Sequence, residues 1–244
     1  MDALILRFDA PLMSFGGVRV DQHNVSERFP GLSLFAGLLS NALGWHHRDG
    51  DRIGHLQERL VVASRWDILG EAIVDYHTVD LGQPKMREAG WTTRGKPEHR
   101  DGGPDARFGT HQRYRHYWAN GALTSALLLA PADDSPTLEA LESALRRPAR
   151  PLFLGRKTCL PGAPILLGRR SGTDVLSILK SVPRATCAHR PAPPAMAARW
   201  PADLGQAREE QIRPIHDQRD WHNQWHAGSR QVSEGLITET PSCT

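Results

Sequence analysis

The chain has 244 residues, 39% of them apolar and 23% charged, with a formal net charge of +3 and an isoelectric point near 9.0. This composition is typical of a soluble globular protein with one large or two small domains. A mean hydropathy of −0.45 and the lack of any long apolar run exclude a membrane-spanning helix. The three cysteines are widely spaced and form no CxxC pair, which argues against a disulfide framework or a zinc ribbon and favours the reducing cytoplasm.

The N-terminal part of the chain predicts strand, helix, strand, strand. Residues 3–9 (ALILRFD) are mostly apolar and lack a basic leader, which predicts a buried strand and not a signal peptide. Apolar residues recur at helical spacing over 34–43, and Ser33 is the predicted N-cap. A short helix over 53–62 and two short strands around Gly70 complete half of a ferredoxin-like βαββαβ unit.

Residues 81–110 show no periodicity and are rich in glycine and proline. A segment of this kind inside a compact domain is functional or disordered. Trp91 and Phe108 alternate with cations, a pattern typical of single-stranded nucleic-acid binding, because rings stack on bases while cations hold phosphates. The alternative is a solvated loop. The cations are Lys85, Arg87, Arg94, Lys96, Arg100 and Arg107.

The middle of the chain predicts one buried strand and one helix. The strand covers 122–130, where apolar residues run up to a proline. In the segment DDSPTLEALESALRR, Ser135 is the predicted N-cap and Pro136 the first helical residue. Glu139 is placed to complete a capping box.

Residues 146–170 form the most basic stretch, with seven Arg or Lys and no acid. Their pattern predicts a strand, a glycine loop and a second strand. Gly155 allows close backbone approach, and Arg156 and Lys157 place charge at the same point. Such a loop suits a phosphodiester chain, since uncompensated cations repel one another until something neutralises them. The alternative is a basic surface hairpin that binds nothing.

The C-terminal third carries weaker signals. The segment VLSILKSVP predicts a short helix, the proline-rich residues 188–203 predict irregular structure, and the polar, aromatic residues 212–232 predict a hairpin. We therefore expect a main domain over 1–172 and a C-terminal region over 173–244.

No familiar catalytic or metal-binding motif is present. His222 and His226 have i, i+4 spacing but no HExxH context or carboxylate partner, so neither a metal site nor a cofactor is predicted. Cys159, beside Arg156 and Lys157, fits an activated thiol or, more simply, a small packing residue. The residue types for metal-independent RNA cleavage, a base and a cation, also occur. These candidates are His23, Tyr76, His77, Tyr114, His116 and Lys157.

Five segments, taken in order, resemble the CasD (Cas-five) family of type I-E CRISPR Cascade subunits. They are LRFDAPLMSFGG, RFPGLSLFAGLLSNALGW, VDYHTV, HQRYRHYWANGALTSALLL and RPARPLFLGRKTCLPGAPILLG. The resemblance covers residues 3–168. It implies an α+β fold with a ferredoxin-like (RRM/RAMP-type) domain, an inserted β-hairpin thumb over about 81–110, and a small irregular or β-hairpin C-terminal region.

The resemblance also implies a cytoplasmic, non-catalytic subunit for antiviral defence. Such a subunit caps the 5′ handle of the crRNA, contacts CasC-type backbone subunits and a CasA-type large subunit, and allows indirect contact with target DNA. In type I-E complexes a separate CasE subunit cuts the RNA. Relatives of the I-C branch cut RNA themselves, and this endoribonuclease activity is the enzymatic alternative. A protein whose basic loops bind acidic protein partners is the other.

The predicted RNA site combines cations for phosphates with polar and aromatic groups for bases. The family's usual cation before the first helix is replaced in the run from Gly31 to Leu34, while the helix N-terminus is expected to offer N–H groups to a phosphate. Arg156→Ala combined with Lys157→Ala is expected to weaken guide binding and its salt dependence. The predicted RNA-binding residues are Ser14, Arg19, His23, Arg28, Ser33, Tyr76, His77, Arg94, Arg113, Arg115, Gly155, Arg156 and Lys157.

Overall fold

The computed structural model describes residues 1–17, 23–80, 90–91, 97–98, 110–189, 193–205 and 210–239. Within these ranges the chain is an α+β protein dominated by antiparallel strands. The helices are α1 (Leu32–Ala42), α2 (Gly50–Arg59), α3 (Leu138–Arg146) and α4 (Val175–Ser181). The strands are β1 (Asp2–Met13), β2 (Phe15–Gly16), β3 (His23–Asn24), β4 (Ser26–Glu27), β5 (Leu60–Ile68), β6 (Glu71–Asp80), β7 (Gly90–Trp91), β8 (Pro97–Glu98), β9 (Thr110–Leu129), β10 (Leu166–Ser171), β11 (Met196–Pro201), β12 (Gln211–Ile215), β13 (Arg219–Asp220), β14 (Trp225–His226) and β15 (Arg230–Ile237).

One large sheet organises the described chain, in the order β10-β1-β9-β5-β11-β15-β12. Strand β9 has 20 residues, and its second half lies between β1 and β5. Its first half pairs with β6, and the short β3 adds a parallel pair on its other side. The two halves meet at Asn120, which has a φ of 53°.

Helices α1, α2 and α3 cover one face of this sheet. Leu4, Leu6 and Phe8 alternate along β1 and are fully buried under the helices, since successive strand residues point to opposite faces. Phe8 stacks on Phe35 of α1 with ring centroids 5.7 Å apart. The predicted first strand and first helix are therefore confirmed.

Helix α4 and the C-terminal strands build a second core on the opposite face. Ile178 and Leu179 of α4 pack with Ala3 and Ile5 of β1 in one buried cluster. Trp200 of β11 belongs to the same cluster and is fully buried. The expectation of irregular structure over 188–203 is thus wrong for β11. Its strand pattern is short, and the prolines before it conceal the signal.

Residues after 172 add β11, β12 and β15 to the same sheet. The predicted hairpin in 212–232 corresponds to two nested antiparallel pairs, β12 with β15 and the shorter β13 with β14. Most of the predicted thumb over 81–110 lies outside the described residues, apart from the paired β7 and β8. None of the helices in the described part is long and apolar enough to cross a bilayer.

Two predicted helix caps are wrong by two residues. The N-cap of α3 is Thr137, whose side chain accepts a bond from the Ala140 N–H at 3.4 Å, and not Ser135. Helix α1 starts at Leu32 after Gly31, so Ser33 lies inside the helix. In both helices the predicted N-cap is a polar residue close to the helix start, but the observed N-cap is two residues away.

The basic stretch over 146–170 also differs from its prediction. Residues before Leu166 form a loop and not a strand, so strand, loop, strand is wrong in its first element. Its cations are partly neutralised by the chain itself. Arg169 pairs with Glu139 at 3.1 Å and with Glu142 at 2.7 Å, and Arg146 pairs with Glu142 at 2.8 Å. Helix α3 supplies these acids, although none occurs in the stretch.

Candidate nucleic-acid interface

An exposed two-stranded ribbon, here called the arm, projects the residue types expected to bind RNA. The arm consists of β6 and residues 110–119 of β9, paired without a register shift from Glu71↔Ala119 to Asp80↔Thr110. Side chains from Glu71 to Tyr76 are exposed. The exposed side chains of β6 are therefore available to a partner, whereas Tyr117 and Ala119 at the other end of the arm are buried.

Three rings form a continuous stack across the arm and β3. Tyr76 lies opposite Tyr114 in the ladder, and their ring centroids are 4.9 Å apart at 28°. His23 pairs with Tyr114 from the other side, at 4.7 Å and 9°. Cross-strand neighbours share a face of the sheet, which is why the three rings meet. We call His23, Tyr114 and Tyr76 the aromatic stack.

The aromatic stack is open at one end. The Tyr76 side chain is 51% exposed. At the other end His23 is tilted against His116, with ring centroids 6.4 Å apart. An offset stack of flat rings with one exposed terminal ring offers a surface for a further flat group.

The predicted cations Arg113 and Arg115 face the opposite side of the arm. They lie opposite His77 and Asp75 in the ladder, and strand alternation separates all four from the aromatic stack. His77 Nε2 lies 2.5 Å from Asp75 Oδ2. The arm residues selected from the sequence therefore lie on two opposite faces of the ribbon.

Arg156 joins two of the strands that carry the aromatic stack. Its guanidinium donates to the backbone carbonyl oxygens of His116 and Asn24, each at 2.8 Å, and lies 4.6 Å from the Tyr117 ring centroid. Because Asn24 follows His23 in β3, this bridge fastens β3 against β9. Lys157 next to it is exposed, and no ion pair joins it to another described residue.

Gly155 is required by the fold itself. It has a φ of +104°, and a Cβ added there would lie 1.7 Å from the carbonyl oxygen of Ser14. Ser14 is 2% exposed, donates its backbone N–H to the Leu154 carbonyl at 3.0 Å and its hydroxyl to the His116 carbonyl at 3.4 Å. The lack of a side chain at Gly155 therefore makes room for the end of β1. The sequence had predicted that this close approach serves a ligand.

The N-terminus of α1 is already occupied. The Leu32 N–H donates to the carboxylate of Asp217 at 3.0 Å, and the Ser33 N–H donates to the Asp217 carbonyl at 2.9 Å. Arg230 pairs with the same carboxylate at 2.7 Å. The expectation that this helix end offers free N–H groups to a phosphate is wrong, because a C-terminal loop has taken them. No local signal could have revealed Asp217, which lies 185 residues away.

The remaining predicted residues do not join the stack. Arg19 and Arg94 lie outside the described residues. Arg28 is exposed on the loop before α1, with its guanidinium 5.6 Å from the Phe29 ring centroid. Ser33 is half-buried in the first turn of α1. Tyr114 and His116, named from the sequence only as cleavage candidates, prove to be central to the geometry.

The structure also places the other candidates for a reactive or metal-binding group. Cys159 is buried, and burial raises the pKa of its thiol, which disfavours the reactive thiolate. His222 Nε2 lies 2.8 Å from Asp51 Oδ1. Among the residues that the structure describes, no group of three or more His, Cys, Asp or Glu is arranged to hold a metal ion.

Comparison with known proteins decides the family. The profile described as CRISPR-associated protein (Cas_Cas5) matches residues 3–233. The chain belongs to this family. Its resemblance to CasD is confirmed, since it is 32% identical over 179 residues to the CRISPR system Cascade subunit CasD of Escherichia coli (strain K12), covering 70% of this chain and 72% of that protein.

Solved structures share the fold of this CRISPR-associated chain. A chain from a CRISPR RNA-guided surveillance complex aligns with a TM-score of 0.67 and 22% identity, covering 98% of this chain and 91% of the other. A crystal structure of a Cas protein aligns with a TM-score of 0.64 and 22% identity, covering 97% and 95%. At this identity the matches support the α+β architecture.

Proposed function

We propose that this protein is the non-catalytic crRNA-binding subunit of a type I-E CRISPR surveillance complex and that it caps the 5′ handle of the guide RNA. The observation that carries the proposal is the aromatic stack, open at Tyr76, on an exposed arm of a chain related to a Cascade subunit. A handle is single-stranded, and unpaired bases stack on exposed aromatic rings.

The charges around the arm support a phosphate path. Lys157 is exposed beside the Arg156 bridge that holds β3 and β9 together. Arg113 is exposed on the other face of the arm. A strand that crosses the arm from the Tyr76 face then meets cations on both sides, which provides affinity that falls with salt.

The strand order supports the ferredoxin-like assignment. The four central strands β10-β1-β9-β5 follow the order fourth, first, third and second of a βαββαβ unit, with α1 and α2 after the first strand and α3 after the third. The third strand is β9 and not β6, the strand that the sequence predicted after Gly70. We propose a RAMP-type domain over 1–172, a thumb over about 81–110 carried by the arm, and a C-terminal region over 173–244. The proposed neighbours are CasC-type backbone subunits and a CasA-type large subunit in the cytoplasm, with indirect contact to target DNA.

The proposal is tested with purified protein and labelled repeat RNA in EDTA. Each sample is divided between a salt-titrated binding assay and a denaturing gel. We expect intact RNA and affinity that falls steeply with salt. A discrete cut without metal would replace the proposal with an endoribonuclease of the I-C kind, and an absence of RNA binding would favour an acidic protein partner.

A matched pair of variants tests the stack itself. Tyr76→Ala removes a ring whose stacking on one base is worth about 1–3 kcal/mol, so affinity should fall by about 5- to 150-fold. Tyr76→Phe keeps the ring and should bind within about two-fold of the wild type. Equal affinity of Tyr76→Ala and the wild type would exclude the stack from the RNA site.

A further inference from the structure

The outer edge of the arm is a free sheet edge. Within the described residues β6 pairs with β9 alone. The ten consecutive pairs show no bulge, so the backbone is regular along its whole length. In an antiparallel strand every second residue directs its N–H and C=O away from its neighbour, and between residues 72 and 79 no strand of the described chain receives those groups.

This edge lacks the lysine, proline and bulges that often protect an edge strand from pairing. Its sequence, EAIVDYHTVD, contains no proline, glycine or lysine. Ile73 is 38% exposed and Val74 is 53% exposed, on opposite faces of the ribbon. Natural edge strands are blunted by lysine, proline or bulges, and a two-stranded ribbon alone is marginally stable in water. The arm therefore has the features of a two-stranded ribbon that can accept a third strand.

The charge of β6 selects the kind of partner. The strand contains three acids and no Lys or Arg. Acidic residues along an edge disfavour a phosphate backbone there, although Asp75 is also within 2.5 Å of His77 and lies opposite Arg115. A second copy is also disfavoured, because antiparallel pairing of β6 with itself about its centre sets residue 71 across from residue 80, and both are acidic.

We propose that the β6 edge accepts one extended strand of a partner protein, with Lys or Arg at alternate positions, as an additional strand of the sheet. Main-chain hydrogen bonds supply the affinity, and the acids of β6 select the basic strand. The inference rests on the proposed function only in taking the partner to be another subunit of the same complex.

Strand addition and base stacking are compatible on the same arm if the partner residue opposite Tyr76 is small. The aromatic stack runs across the strands, and cross-strand neighbours share a face of the sheet. A partner strand beside β6 therefore leaves the exposed face of the Tyr76 ring open only where that partner residue is glycine or alanine. It also widens the ribbon, which makes the platform under the aromatic stack more rigid.

Hydrogen exchange of the β6 amides is the direct test. It is measured for the full chain alone, with repeat RNA alone, and with the protein subunits of its own complex. We expect the outward amides of residues 72–79 to exchange at least about ten-fold more slowly when the protein subunits are added, and to be unchanged with RNA alone.

Each other outcome overturns the inference in a recognisable way. Protection by RNA alone would assign the edge to RNA, and protection that grows with the concentration of the isolated chain would assign it to a second copy. Assembly without protection of β6 would remove this inference and leave the proposed function standing. Failure of the wild-type chain to assemble would remove both.

Two neighbouring proline substitutions give an internal control. One of Ile73 and Val74 directs its N–H toward β9 and the other directs it outward, because the direction alternates along the strand. Of Ile73→Pro and Val74→Pro, the variant that keeps wild-type circular dichroism and thermal stability marks the outward position. That variant should bind the protein subunits at least about ten-fold more weakly, whereas unchanged assembly would contradict strand addition.

Discussion

Arg156 and Lys157 are adjacent in the chain and have different tasks. The Arg156 guanidinium donates to two backbone carbonyl oxygens and lies over the Tyr117 ring, whereas Lys157 is exposed. Arg156→Ala should lower the free energy of unfolding by about 1–3 kcal/mol, since charged hydrogen bonds are lost and two carbonyls lose their donor. Lys157→Ala should change it by less than about 0.5 kcal/mol. Urea unfolding of the two variants measures both.

RNA binding separates the same two residues. Lys157→Ala should reduce the salt dependence of RNA affinity by about one counterion at unchanged stability. If Arg156→Ala reduced the salt dependence at unchanged stability instead, Arg156 would be a phosphate ligand and its structural bridge would be unimportant.

Asp217 closes the N-terminus of α1 with a charged cap. It accepts the Leu32 N–H and pairs with Arg230. Asp217→Ala should cost about 2–4 kcal/mol, because a half-buried guanidinium loses its partner and the helix loses its cap. Asp203→Ala, which removes an exposed carboxylate from the same region, is the matched control. Equal effects of the two substitutions in denaturant unfolding would show that the cap contributes nothing.

At the scale of elements, the loop from Leu152 to Ile165 depends on one glycine. Gly155→Ala should lower stability by more than about 3 kcal/mol, because the new Cβ meets the Ser14 carbonyl at 1.7 Å and the residue has φ +104°. Gly168→Ala is the control, since its φ is +139° but no atom lies within 4 Å of the new Cβ. Thermal unfolding should rank the control well above Gly155→Ala, and similar values would mean that backbone strain alone matters.

Elements with a strong period were predictable from the sequence, and their ends were not. The apolar run of β1 and the helical spacing in α1 identify both elements. The cap at Asp217 was invisible, because a residue distant in the chain supplies it. Strand β11 was missed, because six residues beside several prolines carry too little pattern to outweigh them.

For the candidate site too, the residue types were predictable from the sequence, but the contacts between them were not. Residue types alone nominated His23, Tyr76 and Tyr114, but only the pairing of three strands shows that their rings stack. Register also divides Arg113 and Arg115 from that stack, although all lie within a few positions in sequence. The sequence alone shows no partner for a glycine loop or for a polar side chain, so Gly155 and Ser14 were predicted to contact RNA. In the fold, Gly155 packs against the Ser14 carbonyl, and the Ser14 hydroxyl donates to the His116 carbonyl.

At the scale of the whole molecule, a buried ionic network joins the first strands to the C-terminal end. Arg65 and Asp67 of β5 pair at 2.7 Å with no exposed side-chain surface. Arg65 also reaches Glu239 at 3.9 Å, and Glu239 pairs with Arg184 at 3.0 Å. Because these residues come from distant parts of the chain, their ion pairs couple the C-terminal end to β5.

Glu239 makes that coupling testable. Burial acts to raise the pKa of Glu239, but hydrogen bonds from the backbone N–H and the guanidinium of Arg184 outweigh it, and the pKa lies below its ordinary value of 4.5. A carboxylate whose pKa is lowered by folding stabilises the protein above its unfolded pKa, and this contribution is lost as the pH falls through the folded pKa. The free energy of unfolding should therefore fall less in acid for Glu239→Gln than for the wild type. Parallel curves from neutral pH to about pH 3 would contradict the assignment.

The proposed RNA-binding role depends on contact between RNA and the arm at the aromatic stack. The most direct measurement is ultraviolet cross-linking of the full chain to repeat RNA, with the linked residues identified by mass spectrometry. We predict links at Tyr76 or Tyr114 and in the loop after Gly155, on RNA that stays intact. Links confined to the β13–β14 hairpin, or an arm without any link in a sample that binds RNA, would contradict the account.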